Sequence, residues 1–171
     1  MRFPERAVSV PDRRATPALL QVDSILGHLQ GRAALAEVCR YLVHEFAHYP
    51  WVGVYRLEGP TLVLEAYNGP EATEHVRIPV DRGICGQAAR ENRTVIVDDV
   101  RGAPEYLACF LSTRSEIVVP IRDGASVLGE IDIDGNQVKA FDESDRRFLE
   151  RVAAKLVPAL QKAAAEPPPP V

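Results

Sequence analysis

The sequence lacks the cysteine pairs that a disulfide scaffold or a zinc finger would need. Its three cysteines, Cys39, Cys85 and Cys109, are widely spaced and form no Cys-x-x-Cys pair. None of the four histidines combines with them at zinc-finger spacing. His44 and His48 lie one helical turn apart, but without the glutamate of an H-E-x-x-H motif. We therefore expect no metal site and no structural disulfide.

Long apolar runs and basic clusters are absent as well. The longest apolar stretches are far shorter than the roughly 20 residues of a membrane helix. The net charge is −4, with 20 basic and 24 acidic residues mixed along the chain, so no Lys/Arg run could neutralise several phosphates. The N-terminal segment has no apolar core of a signal peptide. We expect a cytoplasmic protein that binds neither membrane nor nucleic acid.

What remains is the composition of a single soluble domain. The 171 residues are 46% hydrophobic and 26% charged, which suits one domain with a sizeable core. Residues 1–15 are rich in Arg and Pro and are predicted to form an N-terminal tail. Pro167–Pro170 indicates a disordered, proline-rich tail over residues 165–171. The domain is then expected to span residues 16–164.

Periodicity predicts helices at both ends of the domain and strands between them. Thr16 and Pro17 are typical of an N-cap and the first helical position, and a second helical stripe runs from Leu35 to Phe46. Strands are predicted at Trp51–Leu57, Thr61–Tyr67, His75–Val80, Thr94–Val97, Glu116–Arg122 and Ser126–Asp134, with helices at Gln87–Glu91 and after the N-cap Asp142. Pro158 should kink or shorten the last helix. The fold predicted is α+β, an antiparallel sheet of five or six strands with the N- and C-terminal helices packed on one face.

Acidic residues interrupt the last predicted strand at every second position. Glu130, Asp132 and Asp134 share one face, while Ile131 and Ile133 point to the other. Aspartate is disfavoured in strands, so this pattern has two interpretations. The acidic face either meets water or lines a half-covered pocket, in which mutual repulsion would raise one carboxyl pKa and retain a proton near neutrality.

The three thiols have different sequence surroundings. Cys39 lies on an apolar helix face and is predicted to be a buried, inert thiol. Cys85 follows Gly83 at the start of a helical segment, where it is either a core residue or a thiol activated by the helix N-terminus. Cys109 lies in a predicted loop, where its apolar neighbours either plug the core or present a reactive group.

Three further features have both a structural and a functional interpretation. Trp51 and Tyr55 share a strand face with Gly53 between them, which indicates either core aromatics or a groove for a thioether. Glu116 is either an edge residue or a member of the acidic pocket. His75 is interpreted as a histidine on a strand surface, with a role beside a thiol as the alternative.

Several segments occur in the order found in GAF domains. These are Arg77–Ala89, Val95–Val100, Ser115–Ile121 and Val127–Asp134, and the resemblance covers roughly residues 30–160. Within GAF domains, W-V-G-V-Y (Trp51–Tyr55), V-R-I-P, R-G-I-C-G, L-A-C (Leu107–Cys109), S-E-I-V-V-P and D-I-D together resemble the free methionine-(R)-sulfoxide reductases. The R preference is taken from this resemblance alone.

The resemblance implies roles for five residues in the reduction of free methionine sulfoxide. Cys109 would be the nucleophile that attacks the sulfoxide sulfur and becomes a sulfenic acid. Cys85 would line the site and is the internal candidate for recycling that acid. Glu116, Asp132 and Asp134 would hold the amino acid and assist protonation.

The resemblance also implies the partners of the reaction. Trp51 would pack on the methyl end of the substrate, and Tyr55 and Tyr67 complete the expected substrate-binding set. No metal or organic cofactor is expected, and thioredoxin or another thiol would serve as reductant. GAF relatives often pair through their terminal helices, so a homodimer is expected.

Three positions depart from the reductase pattern. His75 occupies the place of a resolving cysteine, Phe110 replaces an acidic residue, and Glu130 stands where the family is normally apolar. Recycling would then fall to Cys85 or to an external thiol. Two alternatives stay open at this point, namely a GAF domain that binds a small ligand as a sensor without chemistry, and a structural or dimerisation domain.

Overall fold

A six-stranded antiparallel sheet separates two cores of different size. The computed structural model describes residues 12–104, 106–108 and 110–168. Its elements are α1 (Asp12–His28), α2 (Gly31–Glu45), β1 (Trp51–Glu58), β2 (Thr61–Asn68), β3 (Arg77–Pro79), α3 (Gly83–Glu91), β4 (Val95–Val97), β5 (Ser115–Asp123), β6 (Ser126–Gly135) and α4 (Glu143–Ala164). Among these helices, none has the length and apolar composition needed to cross a bilayer.

The sheet has the spatial order β3-β2-β1-β6-β5-β4, so β6 lies near its middle. On one side of β6, Asp132 is opposite Gly53 of β1, and Asp134 is opposite Trp51. On the other side, Asp134 is opposite Glu116 of β5. Because facing residues on neighbouring strands point to the same side, this register gathers the acidic and aromatic residues on one face of the sheet.

The larger core lies between the other face of the sheet and the terminal helices α1, α2 and α4. Helix α4 begins at a capping box, in which the Asp142 side chain accepts from the backbone of Ser144 and Asp145. Ile131 and Ile133 of β6 are fully buried in this core. The predicted α+β fold, with terminal helices on one face of an antiparallel sheet, is confirmed.

Pro158 does not end helix α4, which continues to Ala164. Of the two predicted effects of Pro158, shortening of the helix is therefore wrong, and a kink stays a prediction. Since proline has no N–H, the carbonyl of Ala154 cannot receive the usual helical hydrogen bond from that position. Buried Leu156 and Leu160 flank Pro158 and anchor the last turns to the core, which offsets the loss.

Helix α1 begins at Asp12, not at the predicted Pro17. The Arg14 guanidinium donates to the Glu45 carbonyl at 2.8 Å and lies over the Phe46 ring, 5.2 Å from its centroid. Ala15 is buried in the helix-side core. Residues 12–15 therefore belong to the helix, and residues 1–11 of the predicted tail lie outside the described residues.

The start of the predicted C-terminal tail also contacts the domain. Arg32 donates to a Glu166 carboxylate oxygen at 3.2 Å and to the Pro167 carbonyl at 2.9 Å. The same guanidinium reaches the buried Glu65 of β2 at 2.7 Å. Residues 166 and 167 thus contact the domain, and the disorder of the tail stays a prediction. Residues 169–171 lie outside the described part of the chain.

Candidate active site

The alternating residues of β6 place three carboxyl groups in a covered space. Glu130, Asp132 and Asp134 are 0%, 0% and 3% exposed. Their side chains point away from the helix-side core that contains Ile131 and Ile133. The interpretation that this face meets water is therefore wrong, and the pocket interpretation is supported.

Strand β5 and helix α3 add an acid and a thiol to the same space. Glu116 is 3% exposed, and Cys85 Sγ lies 4.0 Å from its Oε1 atom. One atom each of Cys85, Glu116 and Asp132 lie within 4.8 Å of one another. A trio this compact could hold a metal ion, so the absence of a metal site stays a prediction.

Helix α3 is longer than predicted, and this decides where Cys85 lies. It begins at Gly83, not at Gln87, with Arg82 as its N-cap. Gly83 has φ +68°, a conformation that glycine adopts without a steric penalty. Cys85 is consequently in the first turn of the helix and 4% exposed, between the sheet and α3.

Burial makes the carboxyl groups of the cluster weaker acids than usual. Removal from water raises the pKa of Glu116 well above its usual range, and repulsion from Asp132 and Asp134 raises it further. Desolvation also raises the pKa of Glu130 and Asp134 well above their usual range, and that of Asp132 to about 6. Because these groups cannot all ionise together, the cluster retains protons near neutrality.

Glu130 and Asp132 have few partners that could stabilise a negative charge. No described donor makes a hydrogen bond of normal geometry to either carboxyl oxygen of Glu130 or of Asp132. The nearby Cys85 thiol opposes the rise in pKa of both carboxyls only in part. Asp134 differs, because Thr113 Oγ1 donates to its Oδ1 at 3.0 Å. The cluster thus offers both acceptors and proton donors to a bound molecule.

Replacing Glu130 with glutamine should raise stability at alkaline pH. Since the pKa of Glu130 is raised on folding, the native state holds its proton more tightly than the unfolded chain above about pH 4. The free energy of unfolding must then fall as pH rises. Glutamine imitates the neutral acid, so we expect Glu130→Gln to match the native protein in stability at pH 5 and to be more stable than it at pH 8.

Urea unfolding at both pH values would measure this difference. The exposed Asp123→Asn in the β5–β6 turn is the control, and it should shift stability little at either pH. Equal effects of Glu130→Gln at pH 5 and pH 8 would show that Glu130 has no raised pKa.

The Trp51 indole forms an aromatic wall beside the acids. It stacks on Tyr67 with ring centroids 5.8 Å apart and an interplanar angle of 16°, and Phe110 packs on it at 5.5 Å. Its Nε1 donates to the Glu71 carbonyl at 3.1 Å. Tyr55 is fully buried further along β1. The predicted aromatic residues therefore lie on the same side of the sheet as the carboxyl groups.

Two glycines make room for this indole. A Cβ atom added at Gly53 or at Gly69 would overlap the Trp51 ring. Gly53 lies on β1 between Trp51 and Tyr55, and the indole itself fills the space beside it, where a groove for a thioether was one interpretation. Both aromatic side chains are buried, as the alternative of core aromatics predicts. The position of the indole thus requires a residue without a side chain at both places.

A cavity of ≈ 100 Å³ lies between the aromatic wall and Asp134, the member of the carboxyl cluster that lines it. Trp51 and Phe110 line its apolar side, and Thr113 and Asp134 line its polar side. Cys109 lies outside the described residues, but the residue that follows it, Phe110, borders this cavity.

Cys39 lies on the opposite side of the sheet. It is fully buried in the helix-side core, and burial raises the pKa of its thiol to about 12. The prediction of a buried, inert thiol is confirmed.

Sequence reasoning missed several residues at the mouth of the cavity. Pro50, Thr113 and Asn136 line it but were not predicted. Pro50 immediately precedes β1, Asn136 immediately follows β6, and Thr113 comes just before β5. Their position at the ends of strands that carry site residues is the signal that could have found them.

Comparison with known proteins identifies the fold family. The family model described as the GAF domain matches residues 31–161. The chain belongs to the GAF domain family. The GAF domain-containing protein A of Dictyostelium discoideum is 35% identical to it over 136 residues, covering 78% of this chain and 84% of the relative.

Relatives of this GAF domain include free methionine-R-sulfoxide reductases, as the sequence resemblance indicates. The Escherichia coli reductase of that name is 36% identical, covering 72% of this chain and 74% of the relative. The Neisseria meningitidis reductase, solved in complex with its substrate, superposes with a TM-score of 0.81 at 33% identity, covering 90% of this chain and 92% of that chain. The type II reductase from Thermoplasma acidophilum gives a TM-score of 0.74 at 42% identity, covering 76% and 92%.

Proposed function

We propose that this GAF domain reduces free methionine-(R)-sulfoxide to methionine. The observation that carries the proposal is the buried group of four carboxyls, Glu116, Glu130, Asp132 and Asp134, beside an aromatic-lined cavity. The homologous reductases from Escherichia coli and Neisseria meningitidis support the choice of reaction.

The cavity suits the two ends of a small zwitterionic thioether derivative. The ring faces of Trp51 and Phe110 offer apolar contact to the methyl group. Ionised members of the carboxyl cluster would pair with the ammonium group, which is otherwise costly to bury. A methionine residue inside a protein chain has no such ammonium, so the cluster favours the free amino acid.

The chemistry assigned to the site transfers one oxygen atom from substrate sulfur to cysteine sulfur. The Cys109 thiolate attacks the sulfoxide sulfur and forms an S–S bond, while a neutral carboxyl group of Glu116, Asp132 or Asp134 protonates the oxygen to a hydroxyl. The S–S bond and the substrate S–O bond then break as the hydroxyl passes to the Cys109 sulfur. Methionine leaves with its sulfur reduced by two electrons, and Cys109 is oxidised by two electrons to the sulfenic acid. The raised carboxyl pKa values supply a proton donor at neutral pH.

Recycling requires a second thiol. Condensation of the sulfenic acid with a thiol forms a disulfide and releases water, and a dithiol such as thioredoxin then reduces the disulfide. Cys85 is the internal candidate, because it lies within the carboxyl cluster. An external thiol is the alternative. The cytoplasmic location and a homodimer remain part of this proposal.

A turnover assay tests the proposed function. Purified protein is mixed with free methionine-(R)-sulfoxide, thioredoxin, thioredoxin reductase and NADPH, and with dithiothreitol in a parallel reaction. Methionine formation from the R but not the S epimer is the expected result. Formation with dithiothreitol but not with thioredoxin would show that thioredoxin is not the reductant.

A ligand sensor without chemistry is the second candidate, because His75 stands where related reductases carry a resolving cysteine. Trp51 is the single tryptophan, so its fluorescence reports occupancy of the cavity. Saturable quenching by methionine sulfoxide without methionine formation, under every thiol donor, would select the sensor.

A further inference from the structure

His75 connects two segments that border the cavity. Its Nε2 lies 2.9 Å from the carbonyl oxygen of Ala108. Since a carbonyl oxygen only accepts, Nε2 carries the hydrogen and donates it. This histidine was expected on a strand surface, but β3 begins at Arg77, so His75 belongs to the loop before the strand.

The backbone of His75 is fixed from two directions. Its N–H donates to Thr73 Oγ1 at 3.0 Å, and its carbonyl accepts from the Tyr55 hydroxyl at 2.9 Å. Thr73 and Tyr55 are buried, and Tyr55 faces Glu130 across the β1–β6 pair. The backbone of His75 is therefore linked through Tyr55 to the strand position opposite Glu130.

The atom that His75 contacts is next to the proposed nucleophile in the chain. The Ala108 carbonyl belongs to the peptide unit that joins Ala108 to Cys109. On the other side of Cys109, Phe110 packs on Trp51. The described residues on either side of position 109 are thus both held by side-chain contacts, Ala108 by His75 and Phe110 by Trp51.

We propose that His75 is a positioning residue for Cys109. By holding the Ala108 carbonyl relative to Tyr55, it limits the movement of the loop that carries Cys109. Attack on sulfur is sensitive to alignment, so loosening this contact lowers the rate of the chemical step more than substrate binding. The inference rests on the proposed function. It gives His75 a structural role at the position where the resemblance to the reductases implies a resolving cysteine.

Two substitutions distinguish the loss of the hydrogen bond to the Ala108 carbonyl from the loss of the imidazole ring itself. In glutamine the amide nitrogen occupies a place similar to histidine Nε2, so His75→Gln can keep the hydrogen bond to Ala108. In asparagine the amide nitrogen corresponds to Nδ1 and stops short of it. We expect His75→Asn to lower kcat about tenfold with KM changed less than about twofold, and His75→Gln to stay within about threefold of the native kcat.

A second readout is independent of turnover. The rate of Cys109 alkylation by iodoacetamide, followed by peptide mass spectrometry, and hydrogen exchange of the peptide covering residues 106–113 both report on this segment. His75→Asn should speed exchange and change the alkylation rate, whereas His75→Gln should leave both near the native values. His28→Asn is the matched control, because the exposed His28 ring contacts the Ser24 carbonyl at 2.7 Å on α1, away from the site.

The outcomes distinguish this inference from the proposed function. Equal behaviour of His75→Asn and His75→Gln, whether native or impaired, overturns the positioning role. A parallel loss of thermal stability and activity in both variants would mark His75 as merely structural and overturn it too. If the native protein forms no methionine, the proposed function fails, and positioning of a catalytic thiol fails with it. The exchange and alkylation data then decide only whether the contact exists.

Discussion

Cys109→Ser should abolish methionine formation, with a loss of at least about 10³-fold in kcat. A serine hydroxyl is a far weaker nucleophile toward sulfur than a thiolate, and it cannot form the sulfenic acid on which recycling depends. Phe110, the next residue in the chain, lines the cavity. The measurement is methionine formation in a single turnover, with no reductant added, so that recycling does not limit the rate.

Cys39→Ser is the matched control for this experiment. It makes the same atomic change at a thiol that lies in the helix-side core, with a pKa raised to about 12. We expect full single-turnover activity in Cys39→Ser. Cys85→Ser should retain the single turnover as well, and lose multiple turnover only if Cys85 is the recycling thiol. Activity in Cys109→Ser together with inactivity in Cys85→Ser would instead assign the nucleophile to Cys85.

Asp132→Asn should lower kcat/KM by about 10²-fold. Asp132 lies opposite Gly53 on β1 and within reach of Glu116 and Cys85, so it occupies the middle of the cluster. Asparagine keeps the shape but can neither pair with an ammonium as an anion nor donate an acidic proton. Because burial raises the pKa of Asp132 to about 6, the pH profile should also lose a step near that value.

The pH profile of kcat/KM between pH 5 and 9 tests this expectation. A proton donor is active below its pKa and a thiolate above its own, so the native profile should be bell-shaped, with apparent values that belong to the coupled cluster. Asp123→Asn, in the turn at the far end of the same hairpin, should leave the profile unchanged. Native-like kcat/KM and an unaltered profile in Asp132→Asn would remove Asp132 from the mechanism.

The site could be predicted largely from the two-residue periodicity of strands. In β6, acids and isoleucines alternate without exception from Glu130 to Asp134, and the structure separates them onto the two faces as expected. The same periodicity placed Trp51 and Tyr55 together on one face of β1, where both are buried. Such patterns are readable because the geometry of a strand is local.

Other features depended on contacts between residues far apart in the chain. The start of α1 is set by Arg14 contacting Glu45 and Phe46, which no local signal around Pro17 reveals. His75 contacts Ala108 although 33 residues separate them. The burial of Glu130 could not be inferred either, since strand periodicity assigns a face but says nothing about what covers it.

The central position of β6 makes the protein sensitive to changes in the length of this strand. A single residue inserted or deleted before Glu130 would exchange its two faces, if its pairing with β1 and β5 were otherwise kept. Ile131 and Ile133 would then fill the cavity, while the acids would be forced against α4 with no water and no cation. Inserting or deleting one residue there would therefore prevent folding and abolish the proposed activity. Length changes in the Asp123–Ser126 turn would affect neither.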